Sequence, residues 1–258
     1  MREIIEDAHN HREDGLGRAA APDRQALPKR FYKETGVTPV EAGFAVTLDG
    51  RPTRTPGMKP VVVPVASIAT AMAAEWAAQD EVIDPGAMPL VRLVNAALEG
   101  GEDAATALRE EIVKYAGNDL LLYRADTPQE LVSEQERHWD AALVRIARHF
   151  GVSFRPAIGI IHEPQPAPTL ARLSEVLAGE GHFVLTALVA LTSITGSGLL
   201  AIAVWHRLLT ADEAWDAAHV DENHNLRLWG ADEEATLRLR KRRLDFDTAV
   251  QLLDFLRL

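Results

Sequence analysis

The spacing of apolar side chains changes character near residue 65. Before it, from Lys29 to Val65, apolar and polar residues alternate. RFYKETGV at 30–37 and GFAVTLDG at 43–50 place aromatic and β-branched residues at roughly alternate positions, which predicts strands. Asp49-Gly50 is a strong hairpin signal between the second strand and RPTRTP. Val61–Val63 reads as a further short strand that ends at Pro64. Three or four antiparallel strands are too few for a large core, so such a sheet must lean on another layer.

After Val65 the period becomes helical. Ile68, Met72 and Trp76 fall at i, i+4 and i+8 on one face. Asp84-Pro85-Gly86 reads as a loop, and further helices are predicted from Met88 to Leu98 and from Ala104 to Ala116. Leu120–Tyr123 reads as a short extended piece. A long helix follows from Pro128 to Phe150, with Thr127 as N-cap, Pro128 in the first turn, and Leu131, Trp139, Leu143 and Ile146 facing inward. Ile158–Ile161 suggests another short strand. Beyond Pro168 the pattern is helical: Asp212 and Glu213 open one helix that Gly230 ends, and Asp232–Leu258 forms the last. The expected fold is α+β: a polar lead-in at 1–27, a small N-terminal antiparallel β domain at 28–64, and a larger helical domain at 65–258 on which it packs.

The uncharged stretch FVLTALVALTSITGSGLLAIAVW, from Phe183 to Trp205, is long enough to span a bilayer. Its midpoint argues for a different reading. Thr192, Ser193, Thr195, Gly196, Ser197 and Gly198 cluster there, and two glycines favour a break. Two buried helices joined near Gly196–Gly198 are expected, with no integral membrane span.

Composition removes whole classes of chemistry. The 258 residues include no cysteine, so disulfides, thiolate metal sites and thiol nucleophiles are excluded. The net charge of −11 opposes a phosphate backbone, so no nucleic-acid partner is expected. The acidic start MREIIEDAHNHREDG has neither the apolar core of a secretory signal nor the Arg- and Ser-rich character of a transit peptide, and a cytoplasmic location is expected.

No motif assembles a catalytic, cofactor or metal site. His219 and His224 lie about 140° apart on a helix, so they cannot share a face, and both are expected on a solvated surface. Thr195-Gly196-Ser197-Gly198 lacks the Lys and spacing of a phosphate loop. Glu75, Asp119 and Asp140 read as caps and helix-surface ion pairs. The basic run Arg238, Arg240, Lys241, Arg242 and Arg243 follows Asp232, Glu233 and Glu234, an order that suits a helix dipole. Trp76, Trp139, Trp205 and Trp229 have apolar surroundings and are expected in the core. Trp215, in Asp-Glu-Ala-Trp-Asp, is either partly exposed, as interface aromatics are, or packed over its own domain. An enzyme with a site between the domains, or a membrane-associated factor using 183–205, are the alternatives this pattern leaves open.

Several stretches, in order and spacing, resemble one family. They are RFYKETGV at 30–37, LDGRPTRTP at 48–56, EWAAQ at 75–79, IDPGAMPLVRLVNAALEG at 83–100, YAGNDLLLYRA at 115–125, EQERHWDAAL at 134–143, TGSGLLAIAV at 195–204 and LWG at 228–230. The chain resembles the ATP synthase F1 assembly chaperones that bind the α subunit, the "ATP-twelve" family, from about Phe31 almost to its end. Arg54 stands where the family commonly has Lys, and Leu122 where Cys is frequent. The resemblance implies a cofactor-free, non-enzymatic chaperone that covers the β-facing surface of the free F1 α subunit without ATP hydrolysis. It also implies dependence on an acidic residue in the C-terminal helices, for which Glu213 and Glu222 are the candidates. Trp215 joins them as a candidate partner contact.

Overall fold

A computed structural model describes residues 27–230 and 233–257. The lead-in at 1–26 lies outside the described residues. The fold is α+β: a small antiparallel sheet precedes a larger helical part. Packing divides the chain into two units, one ending at Gly100 and one beginning at Gly101. That division falls later than the change of period at residue 65, because the first two helices fold with the sheet.

In the first unit, β1 (Thr35–Val40) pairs antiparallel with β2 (Gly43–Leu48), and β2 also pairs with β3 (Arg51–Pro52) and β4 (Val62–Val63). Asp49 and Gly50 have φ of 47° and 74°, the two positive values that a type I′ hairpin turn requires. The first strand begins later than RFYKETGV suggested. The amides of Lys33 and Glu34 donate to the Asp49 carboxylate at 3.0 and 2.8 Å, so they are unavailable to a ladder. Helix α1 (Ala66–Ala77) packs across β1 and β2 and buries Ile68 and Met72, leaving Trp76 half-buried. A 3₁₀ turn at Pro85–Ala87 occupies the predicted loop, and α2 (Pro89–Gly100) follows. Glu75 of α1 caps α2, accepting from the Leu90 and Val91 amides at 2.9 and 2.8 Å. Burial pushes its carboxyl up.

The second unit is helical except for one short parallel pair, β5 (Tyr123–Arg124) with β6 (Ala157–Ile158). Its helices are α3 (Ala105–Gly117), α4 (Gln129–Gln135), α5 (Ala141–Phe150), α6 (Ala167–Val176), α7 (His182–Thr195), α8 (Gly198–Trp205), α9 (Ala211–Ala218), α10 (Val220–Trp229) and α11 (Glu233–Leu256). A π turn at Glu136–Asp140 joins α4 to α5. Pro128 is the N-cap of α4, with Thr127 outside the helix, because Pro128 has extended backbone angles. Leu120–Leu122 is a 3₁₀ turn instead of an extended piece, and β5 starts only at Tyr123. Of Ile158–Ile161, only Ile158 joins a strand. The helix opened by Asp212 breaks at His219, so Gly230 ends a separate helix, α10.

The apolar stretch forms two helices, as its midpoint predicted, with the break at Gly196–Ser197. Gly196 adopts φ 71°, the left-handed conformation that closes α7. Gly198 opens α8 against α3, where an added Cβ would lie 2.4 Å from the Ile112 carbonyl oxygen. Every residue from Gly198 to Val204 is buried, as expected of a helix apolar on all sides. Cover comes from α3, α5, α7 and α9 around α8, and from α3 and α11 around α7. No helix among the described residues is long and apolar enough to cross a membrane.

Two hydroxyls serve the break. Thr195 Oγ1 donates to the Leu191 carbonyl at 2.7 Å, and Ser197 Oγ accepts from the Leu200 amide at 2.9 Å as the N-cap of α8. The fully buried Asp119 completes it. Its carboxylate accepts from the Leu121 amide at 3.2 Å and the Leu199 amide at 2.9 Å, capping the 3₁₀ turn and α8 together.

Candidate functional site

The three candidate residues lie on α9 and α10, and the structure assigns them unlike roles. Thr210 caps α9 in a capping box: its hydroxyl accepts from the Glu213 amide at 3.1 Å, and the Glu213 carboxylate accepts from the Thr210 amide at 2.8 Å. Arg145 of α5 donates to the same carboxylate at 2.9 Å. The Thr210 amide, aided by Arg145, holds the Glu213 carboxyl below the usual range. This carboxylate is committed to holding α9 in place.

Trp215 is buried, with 8% of its surface exposed, which decides for the packed reading over the partly exposed one. The reason lies on α11. Phe246 packs edge-on at 5.3 Å between ring centroids, and the Arg243 guanidinium covers the indole at 5.2 Å. Asp212 and Asp247 fix that guanidinium at 2.5 and 2.8 Å. The imidazole of His219 stacks on the indole at 3.9 Å, with Nδ1 2.8 Å from the Trp215 carbonyl oxygen.

His219 and His224 are therefore not on a solvated surface; both are buried. His219 ends α9 and His224 faces inward from α10, so the break between helices removes the single-helix geometry on which the surface placement relied. Burial pushes the His219 imidazole down. The Nε2 atoms of both rings lack a hydrogen-bond partner among the described residues.

Glu222 is the exposed member of this group. Its carboxylate lies 3.8 Å from His219 Nε2 and accepts from Arg242 at 3.3 Å. Arg242 also donates to the Ile194 carbonyl at 2.8 Å, tying α10 and α11 to α7. The structure thus brings Trp215 and Glu222 together through His219, while Glu213 engages Thr210 and Arg145.

The same helices are anchored to α4 and to the π turn that follows it. Gln135 donates to Asp221 at 2.8 Å, and Trp139 Nε1 donates to the Ala217 carbonyl at 2.7 Å. Arg124 and Asp140 form an ion pair at 2.5 Å beside Trp139. Trp229, expected in the core, ends α10 with 84% of its surface exposed. Its apolar neighbours in sequence are misleading, because Leu228 is exposed beside it.

Among the described residues, no group of three His, Asp or Glu side chains could hold a metal ion. An open groove of about 440 Å³ runs along α3 and α6, lined by Val113, Lys114, Asn118, His162 and Leu170 among others. The groups with displaced pKa values lie outside its walls.

Known proteins share this fold. The family model for ATP12 chaperone protein matches residues 29–147. A solved structure of Atp12 from Paracoccus denitrificans is 36% identical, covers 88% of this chain and 98% of its own, and superposes with a TM-score of 0.81. The chain belongs to the ATP12 chaperone family. A chaperone candidate from Agrobacterium tumefaciens, also solved, is 38% identical with a TM-score of 0.86 over 99% of this chain and 98% of that one. The mitochondrial protein atp12 of Schizosaccharomyces pombe is 23% identical over 230 residues, 84% of this chain and 79% of that protein. The ATP12 family match ends within α5, whereas the solved Agrobacterium relative spans nearly the whole chain, α9 and α10 included.

Proposed function

We propose that this ATP12 chaperone assists assembly of ATP synthase by binding the free α subunit of the F1 sector and covering the surface that α later presents to the β subunit. Membership of the ATP12 family across nearly the full chain carries this reading. A lone α subunit presents an apolar interface meant for its neighbour, which is an aggregation hazard. A binder of moderate affinity lowers the free population by mass action, and this needs no nucleotide. The β subunit then takes over the shielded surface. The cytoplasm is the compartment in which this chain would meet newly made α.

On this reading, light scattering of refolding F1 α subunit falls when the protein is added in molar excess, without ATP. Unchanged scattering would contradict it. Glu213, Trp215 and Glu222 have separate parts in the proposal: Glu222 meets the client, while Trp215 and Glu213 hold its surroundings. Glu222→Lys should therefore lose most of the protective effect. Its stability should change by about 1 kcal/mol or less, since an exposed ion pair such as that with Arg242 contributes little. A stable Glu222→Lys variant with full protection would remove Glu222 from the client surface.

A further inference from the structure

We infer that the first half of α11, with Trp229 beside it in sequence, is a docking surface for an acidic, amphipathic segment of the client. This rests on the client-binding reading above. Helix α11 buries Phe246, Thr248, Ala249, Leu252 and Leu253, all in its second half. From Glu233 to Asp245 no residue is buried, about 20 Å of helix at 1.5 Å per residue. Within that length Leu237, Arg240, Lys241 and Leu244 recur at i, i+3, i+4 and i+7, which places them on one face. The two leucines are 54% and 50% exposed. Trp229 is four residues from the start of α11, within about 14 Å along the chain. An exposed tryptophan is the side-chain type that most often anchors a protein interface.

Charge identifies the occupant. The chain carries 38 acidic residues against 27 lysines and arginines. Most cations of this helix have found an acid: Arg238 pairs with Glu234, Arg242 with Glu222, and Arg243 with Asp212 and Asp247. Arg240 and Lys241 form no ion pair among the described residues, although both are exposed. Two unpaired cations between two exposed leucines are complemented by carboxylates alternating with apolar side chains. A short acidic segment feels these cations within a Debye length of about 8–10 Å. An extended anionic surface, lipid or nucleic acid, would instead meet the net charge of −11 and be repelled. Two leucines also make a narrow apolar face for membrane insertion.

The test uses the full chain and purified F1 α subunit, with affinity measured at low and high salt. Arg240→Glu combined with Lys241→Glu should weaken binding by about tenfold or more and abolish the loss of affinity with added salt. Arg240→Gln with Lys241→Gln should fall between, and Lys114→Glu, an exposed lysine on α3, should bind as the unaltered protein does. Thermal midpoints should stay together, because these side chains are exposed. A photo-cross-linker at Leu237 should capture an acidic stretch of α, and one at Val144 should capture none. Equal affinity and salt dependence in the double charge-reversal variant would overturn the docking surface alone. Failure of the unaltered protein to bind α would overturn the client reading and this inference with it. Binding to phosphatidylglycerol vesicles that is lost in the double variant, with α binding unaffected, would assign the stripe to membranes and also overturn it.

Discussion

Leu188→Asp should leave the second unit unfolded or insoluble. Leu188 lies midway along α7, a helix that packs against α3, α8 and α11, and is fully buried. An ionised carboxylate there has no partner, and burying one costs several kcal/mol even after relaxation. Domains of this size are stable by only about 5–15 kcal/mol. Leu188→Ala gives a graded comparison: it should remain folded and lose about 2–5 kcal/mol in denaturant unfolding, from lost transfer and the cavity left behind. Monodisperse Leu188→Asp protein with an unchanged thermal midpoint would mean that the uncharged stretch is a surface and not a core.

The second large effect is expected at Asp119. Its carboxylate serves two elements far apart in sequence, and Asp119→Ala strands the amides of Leu121 and Leu199 in the interior. Each unsatisfied donor costs about 1–3 kcal/mol, so for the two a loss of about 2–6 kcal/mol is expected. The pH dependence has a definite sign. Burial pushes this carboxyl from 3.8 up to about 7, against hydrogen bonds from Ser197, Leu199, Leu121 and Gly198 that favour the charged form. A folded-state pKa above the unfolded one means that the folded protein holds the proton longer. The contribution of Asp119 is then fullest below pH 3.8, declines as pH rises from there to about 7, and is level above. Asp119→Asn cannot titrate, so the stability gap between wild type and this variant should narrow from pH 5 to pH 8. A gap that stays constant from pH 5 to pH 8 would show that the hydrogen bonds outweigh desolvation and that Asp119 is ionised throughout.

The parts of this fold legible in the sequence are those set by local rules. Asp49-Gly50 specifies its turn through backbone preference alone, and Gly196 and Ser197 mark the break in the apolar stretch as helix terminator and cap. Helical periodicity placed Ile68, Met72, Leu143 and Ile146 inside, where they are. What escaped depends on partners distant in the chain. Beside Asp212, Glu213 and Asp216 the exposure of Trp215 was open, and Arg243 and Phe246 arrive from α11 to cover it. Trp229 looked buried among leucines, yet α10 ends there and nothing covers the ring to more than a small extent. The shift of β1 has the same origin, since the Asp49 carboxylate takes two amides from RFYKETGV. For the candidate residues, local reading placed Glu213, Trp215 and Glu222 on helices but missed the wiring between them. The i, i+4 pairs Glu234–Arg238 and Arg243–Asp247 were readable signs that the basic run does structural work.

The proposed role is tested most directly by mixing this protein with free F1 α subunit, without nucleotide, and measuring molar mass across a size-exclusion column. The account predicts a discrete complex of the two chains that dissociates when β subunit is added, with α passing to β. Separate elution at concentrations of tens of micromolar, or a complex that persists unchanged in the presence of β, would contradict it.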